Sequence, residues 1–92
     1  MDAVVAEATI APGRIDEATE MARTFVIPAF PPQSGHVASY CTRSGDGTAA
    51  LSCSIFETLE QALASAASIA PPPEAPVRID SVAAHEVLAA AM

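Results

Sequence analysis

The chain has 92 residues, 11 acidic residues against 4 basic ones, and a formal net charge of −7. An apolar fraction of 51% with only 16% charged residues excludes a disordered chain. The acidic balance excludes a general nucleic-acid binder, which needs a basic surface. Because the chain is too short for two ordinary domains, we expect residues 1–92 to form a single compact domain.

The sequence carries no pattern typical of export or of a membrane partner. Its first residues lack the basic region and cleavage site of a signal peptide. The longest uncharged stretch, residues 24–42, contains three prolines and cannot form a membrane helix. Cys41 and Cys53 are too few for a disulfide framework and are most simply small buried hydrophobic residues. We therefore expect a reduced, cytoplasmic protein.

The first half of the chain predicts a strand, a helix and a loop. Residues 3–10 alternate between two faces and are rich in β-branched side chains, as expected of a strand. Residues 14–27 switch to helical spacing, with Ile15, Ala18, Ala22 and Phe25 on one face. Pro28 is expected to end this helix, and residues 28–35 predict a stiff loop.

The second half predicts a hairpin, a helix and a final strand. Residues 36–43 and 48–57 predict two strands joined by a tight turn at residues 44–47. Thr58 and Gln61 match a capping box, so a second helix is expected to start there and to run to about Ala70. Residues 77–80 and 82–88 predict the last strand, and residues 89–92 are expected to fray.

The order β-α-β-β-α-β predicts an α+β, ferredoxin-like subunit with a four-stranded antiparallel sheet and two helices on one face. The other sheet face is then uncovered and largely apolar. Its expected residues are Val5, Thr9, Val37, Cys41, Leu51, Cys53 and Ile55. An apolar face of this size indicates a homodimer in which two sheets pack together. Glu7 would point between them, either paired with Arg43 or hydrated.

Four segments that are spread over nearly the whole chain resemble those of a known family: VVAEATIAPGRIDE, SGHVASYCTRSGDGT, LSCSIFETLEQAL and HEVLAA. Their order and spacing resemble the antibiotic-biosynthesis-monooxygenase (ABM) domain of the dimeric α/β-barrel superfamily. The resemblance implies a homodimeric barrel with a pocket between the sheet and the helices of each subunit. Members of this family include cofactor-independent oxygenases of polyphenolic intermediates, haem degraders and isomerases.

The chain departs from this family at positions that matter for chemistry. Haem-degrading members use an Asn, a Trp and a His where this chain has about Ala6, Phe56 and a residue near Ala66. The quinone-forming oxygenases use a Trp and an Asn where this chain has Phe56 and Ser52. Haem degradation is therefore not expected, and the best-studied oxygenase mechanism is not supported.

Three residues are candidates for catalysis. His36 could be a general base, or simply a histidine at the end of a loop. Tyr40 could bind a carbonyl or enolate oxygen, or belong to the core. His85 could be a second base, or an exposed residue at a strand edge. If the second strand alternates regularly, His36 and Tyr40 share the helix-facing side. The substrate-binding candidates are Ser52, Ser54, Phe56 and Phe25.

The leading hypothesis is a small-molecule pocket protein that resembles cofactor-independent monooxygenases, isomerases or cyclases acting on aromatic or polyketide-like substrates. In an oxygenase the base would form a substrate carbanion, which would itself reduce O₂. The alternative is a non-catalytic ligand-binding or structural homodimer of the same fold. No metal-binding spacing, phosphate loop or dinucleotide loop is present, so neither a metal nor another cofactor is expected.

Overall fold

The computed structural model describes residues 1–30 and 32–91. Its centre is a four-stranded sheet of order β2-β3-β1-β4, in which every neighbouring pair is antiparallel. The strands are β1 (Asp2–Ile10), β2 (His36–Arg43), β3 (Ala49–Phe56) and β4 (Val77–Glu86). With two helices in the connections, this confirms the α+β class and is compatible with the ferredoxin-like fold. Pro31 of the expected loop and Met92 of the expected tail lie outside the described residues.

The first helix extends further than the sequence predicts. An α-helical part, Ile15–Met21, continues into a π-helical turn, Ala22–Val26, and a short α-helical turn, Ile27–Ala29. The expectation that Pro28 ends the helix is therefore wrong. In a regular α-helix the ring of Pro28 would crowd the carbonyl of Thr24. The π-helical turn just before it widens the backbone, since the N–H of Ile27 bonds to the oxygen of Ala22.

The second helix, Leu59–Ala67, begins at the predicted capping box. The Thr58 hydroxyl accepts from the N–H of Gln61 at 3.2 Å, and the N–H of Thr58 donates to the Gln61 side chain at 3.1 Å. Two otherwise unpaired backbone donors are satisfied in this way. The helix ends at Ala67, short of the predicted Ala70, and the proline-rich loop follows.

The hairpin turn between β2 and β3 is held by one carboxylate. Asp46 accepts from the hydroxyls of Ser44 (2.6 Å) and Thr48 (2.8 Å) and from the N–H of Thr48 (3.0 Å). These bonds favour the charged form and lower the pKa of Asp46 to about 2. Gly47 follows with a φ of 73°, and a Cβ there would stand 2.2 Å from the Ile15 side chain. The hairpin therefore packs tightly against the start of the first helix.

A bulge in β2 decides which side chains face the helices. His36 pairs with Phe56, but Ala38 pairs with Ile55, so Val37 is an extra residue in the ladder. Because side chains alternate along a strand, one extra residue exchanges the two faces for everything after it. The expected placement of His36 and Tyr40 on the same side of the sheet is therefore wrong. Three residues join His36 on the helix-facing side: Ser39, Cys41 and Arg43.

The other strands follow the predicted alternation more closely. In β4 a register shift falls opposite Glu7 and Ala8, and the strand is otherwise continuous from Val77 to Glu86. Glu7 lies on the open face and accepts from the Ser81 hydroxyl at 2.9 Å. Arg43 instead donates to Thr19 on the helix side. Of the two alternatives considered for Glu7, pairing with Arg43 is wrong because the bulge places Arg43 on the opposite face.

The hydrophobic core lies under the second helix. Its buried members are Val4, Phe30, Phe56 and Ala62, with Val26, Ala66, Ile69 and Val82 packed around them. The second helix contacts β1, β3 and β4, so it covers the centre of the sheet and one edge. Within the described residues, neither helix has the length and apolar character needed to cross a membrane.

Candidate functional site

A cleft of about 1010 Å³ separates the middle of the first helix from the sheet. Its floor is the helix-facing side of all four strands. One end is closed by the end of the second helix and by the proline-rich loop, through residues 68–72 and 74–76. Its size is that of pockets that hold small molecules in other proteins, roughly 300–1,000 Å³.

Small side chains leave this space unfilled. The floor carries Ala6, Ala50 and Ser52, and Ala18 and Ala22 lie above it on the helix. The larger apolar residues stand around the rim and the end wall: Ile10, Val26, Ile27, Ile69, Val77 and Ile79. Alanine side chains are too short to make contact across the gap. The first helix therefore contacts the rest of the molecule mainly near its two ends.

Those two ends anchor the first helix firmly. At its start, Arg14 forms an ion pair with Glu17 and donates to the backbone oxygens of Glu74 (3.1 Å) and Ala75 (3.5 Å). At its end, the Phe30 side chain is buried in the core. Between these points the π-helical turn has no buried residue. Of the residues in this turn, only Val26 packs against the core.

The polar residues that line the cleft include Thr19, Cys41, Arg43 and Ser52, together with the charged residues Glu17, Glu20, Arg23 and Glu74. Arg43 reaches from the end of β2 to the first helix, where its Nη1 donates to Thr19 Oγ1 at 3.0 Å. Burial raises the pKa of the Cys41 thiol, which therefore stays protonated at neutral pH. The walls therefore offer a ligand two guanidinium groups, three carboxylates and several neutral polar groups.

His36 lies beside the cleft rather than in its wall. Its ring stacks on Phe30 at 5.9 Å and meets Phe56 edge-on at 5.8 Å between ring centres. Its Nε2 lies 2.7 Å from Ser39 Oγ, which in turn donates to Ser54 Oγ at 3.0 Å. Because Phe30 also lines the cleft, one aromatic ring separates His36 from the open space.

Tyr40 and His85 are both on the open face of the sheet. Tyr40 pairs with Cys53, and its side chain is 58% exposed. His85 pairs with Ala3 and is exposed at the opposite edge strand. The three catalytic candidates therefore do not form one constellation, because the sheet separates His36 from the other two.

The substrate-binding candidates divide between the cleft and the core. Ser52 and Phe25 line the cleft, although the Phe25 side chain is 73% exposed at its mouth. Ser54 is buried and accepts from Ser39. Phe56 is also buried, at the centre of the core. Two of the four candidates are therefore placed where a ligand in the cleft could touch them.

The sequence analysis missed the residues that give the cleft its polar character. Cys41 was expected on the open face, and Arg43 was considered only as one of two alternatives for Glu7 on that face, both because regular alternation was assumed along β2. Thr19 resembled an ordinary helix-surface residue. The available clue to a polar group in the cleft was Arg43 itself. It is one of only 4 basic residues in the chain and lies in a predicted strand rather than on a solvated helix.

Comparisons with known proteins add no relative. No family model matches the chain, and neither a curated protein nor a solved structure matches it. The resemblance to the ABM domain therefore stays an expectation. In residues 1–30 and 32–91, no group of three or more His, Cys, Asp or Glu side chains is placed to hold a metal ion.

Proposed function

We propose that this protein binds a small, flat and largely apolar molecule in the cleft between the first helix and the sheet. The cleft itself carries this proposal. Its volume of about 1010 Å³ and its alanine-rich surfaces leave room that no side chain of the described residues occupies. A structural homodimer without a ligand would be expected to close this space, so the filled-core alternative is less favoured.

The ligand class follows from the walls of the cleft. Aliphatic side chains surround the space, and Phe25 and Phe30 offer aromatic contact at two points. Apolar walls with a few polar groups suit an aromatic or polyketide-like compound, because apolar burial supplies affinity and the polar groups set orientation. This is also the substrate class that the ABM resemblance implies.

A cleft-blocking variant tests the binding proposal. In Ala22→Trp a large side chain would project from the roof into the cleft, and in the control Ala64→Trp the same side chain lies on the exposed surface of the second helix. Aromatic and polyketide-like compounds should raise the melting temperature of the wild type and of Ala64→Trp, but not that of Ala22→Trp. Equal stabilisation of all three proteins would place the ligand elsewhere.

Cofactor-free oxygenation, or a related isomerisation or cyclisation, is the catalytic form of this proposal, with His36 as the candidate general base. Ser39 donates its hydroxyl proton to Ser54. The Nε2 of His36 is in contact with Ser39 Oγ at 2.7 Å, which leaves Nδ1 as the ring nitrogen without this contact. The Phe30 ring, which separates His36 from the cleft, would have to move aside; His36 would then take a proton from the substrate, and the resulting carbanion would reduce O₂.

Oxygen uptake with a panel of polyphenols tests the catalytic form. Turnover should be lost in His36→Ala while ligand-induced stabilisation remains. In His85→Ala turnover should persist, because His85 is on the other side of the sheet. Loss of turnover in His85→Ala alone would assign the base to the open face, and full activity of both variants would exclude a histidine base.

The homodimer is a further part of the proposal. The open face carries Val5, Cys53 and Ile55 at its centre, none of them fully buried, and the exposed side chains of Tyr40 and Leu51 beside them. An apolar sheet face is stabilised when a second copy covers it. Two-fold packing of sheet on sheet would form the barrel that the ABM resemblance implies.

Light scattering at micromolar concentration tests the dimer. Tyr40→Glu places a carboxylate on the open face, while the control Leu63→Glu places one on the exposed side of the second helix, where Leu63 is 52% exposed. The wild type and Leu63→Glu should be dimers, and Tyr40→Glu should dissociate. A monomeric wild type would exclude the dimer.

A further inference from the structure

The four arginines of the chain fall into two pairs with different surroundings. Arg14 is ion-paired with Glu17, and Arg78 with Asp80 at 3.0 Å. Arg23 and Arg43 make no ion pair with any described residue, and both line the cleft. In a chain with 11 acidic residues, cations left without a carboxylate partner are unusual, and here both border the same space.

Arg43 is the better placed of the two. It projects from the helix-facing side of β2, at the end of the strand, and the hydrogen bond to Thr19 fixes its direction. A guanidinium has five N–H donors, and this contact uses one of them. The remaining donors form a planar fork that matches the two oxygens of a carboxylate.

The acidic residues at the cleft do not neutralise this guanidinium. Glu17, Glu20 and Glu74 also line the space. Glu17 is already bound by Arg14, and neither Glu20 nor Glu74 lies within ion-pair distance of Arg43 or Arg23. A cationic ligand held by Glu20 and Glu74 is the opposite possibility. Arg43 is favoured as the anchor because Thr19 orients it, whereas no side chain of the described residues orients either glutamate.

We propose that the ligand of the cleft is an apolar carboxylic acid whose carboxylate binds Arg43, with Arg23 as a weaker second contact. This inference rests on the proposed binding function and adds the chemical class of the ligand. The apolar body would lie along the alanine floor, and the carboxylate would face the end of β2. Ser52, on the strand next to Arg43, is available for a further hydrogen bond from the floor.

A matched pair of probes separates the charge from the apolar body. Naphthalene-2-carboxylate and naphthalene-2-carboxamide have nearly the same shape, but only the first is an anion. Both are titrated by calorimetry into the wild type and into Arg43→Gln, Arg23→Gln and Arg78→Gln. Arg78→Gln is the matched control, because it removes the same charge from an arginine that does not line the cleft and is paired with Asp80.

The carboxylate should bind the wild type about fivefold to tenfold more tightly than the amide, since charge-assisted hydrogen bonds are the stronger kind. Arg43→Gln should remove this preference and leave the affinity for the amide unchanged. Arg23 and Arg43 are both exposed, but only Arg43 is oriented by a hydrogen bond within the described residues. Arg23→Gln should therefore reduce the preference by only about twofold, and Arg78→Gln should leave it unchanged.

Three results would overturn the inference. Equal binding of both probes by the wild type would show that the cleft does not distinguish an anion from a neutral molecule. The binding function would then stand, and the inference would be wrong. Tighter binding of naphthalene-2-methylamine, a cation, would assign the anchor to the glutamates. If Arg43→Gln still preferred the carboxylate over the amide, the carboxylate would bind at a residue other than Arg43. If neither the probes nor any compound of the wider aromatic panel bound, the proposed binding function itself would be wrong.

Discussion

The two helices lie over the same face of the sheet but meet it in different ways. The second helix packs directly on the strands, with Ala62 fully buried against Val4 and Phe56. The first helix is anchored at its ends and stands away from an alanine floor in the middle. Large residues under one helix and small ones under the other thus divide one sheet face into a core and a cleft. Stability should depend on the first region and binding on the second.

The largest effect is expected from a truncation in the core. Phe56→Ala removes a side chain that is 1% exposed and should lower the free energy of unfolding by about 3–5 kcal/mol. Ile27→Ala in the cleft wall should cost less than about 1 kcal/mol, because its side chain already borders open space. Urea denaturation of the two variants measures the contrast. Equal losses would show that the cleft is packed in solution.

Two glycines with positive φ provide a second comparison. A Cβ at Gly35 would stand 1.9 Å from the Gln61 side chain, whereas one at Gly13 would meet nothing within 4 Å. Gly13→Ala should therefore cost only the backbone penalty of about 1 kcal/mol. Gly35→Ala should cost about 2 kcal/mol, because Gln61 must also leave the capping box. Denaturant midpoints of both variants test this, and a smaller loss for Gly35→Ala would contradict the close contact.

The capping box predicts a smaller loss at the start of the second helix. Thr58→Ala removes the hydroxyl that accepts from Gln61 and should cost about 1 kcal/mol. Thr58→Ser keeps the hydroxyl and should retain most of the stability. Thermal unfolding followed by circular dichroism distinguishes the two variants. Similar melting temperatures for both would mean that the cap contributes nothing.

The smallest effect concerns the pH dependence of the hairpin at the cleft. The pKa of Asp46 is lowered from 3.8 to about 2 by hydrogen bonds from Ser44 and Thr48. A depressed pKa in the folded state means that the carboxylate stabilises the fold above about pH 4 and that this contribution is lost as the pH falls towards 2. The unfolding midpoint of the wild type should therefore fall more steeply over this range than that of Asp46→Asn. The same pH dependence in both proteins would show that the Asp46 carboxylate does not make these hydrogen bonds in the turn.

Local patterns were sufficient to predict most elements of this fold. The alternation of β1, the turn around Asp46 and the capping box at Thr58 each depend on residues close together in sequence, and all three were confirmed. The strand order then followed from the βαββαβ sequence of elements. These features need no information about distant parts of the chain.

The features that decide the site depend on distant contacts. The bulge at Val37 has no local signature, yet it sends Tyr40 to the open face and brings Cys41 and Arg43 to the cleft. The continuation of the first helix past Pro28 depends on the anchoring of Phe30 in the core. The cleft itself exists because alanines on separate elements face one another, which no single segment reveals.

Two-dimensional ¹H–¹⁵N NMR with naphthalene-2-carboxylate as titrant tests the cleft most directly. Amide shifts should move at the roof and floor, at Ala22, Ile27 and Ala50, and should stay in place at Val5 and Cys53 on the open face. The same titration of Ala22→Trp should leave the spectrum unchanged. Shifts confined to the open face, or equal shifts in Ala22→Trp, would contradict a binding site between the first helix and the sheet.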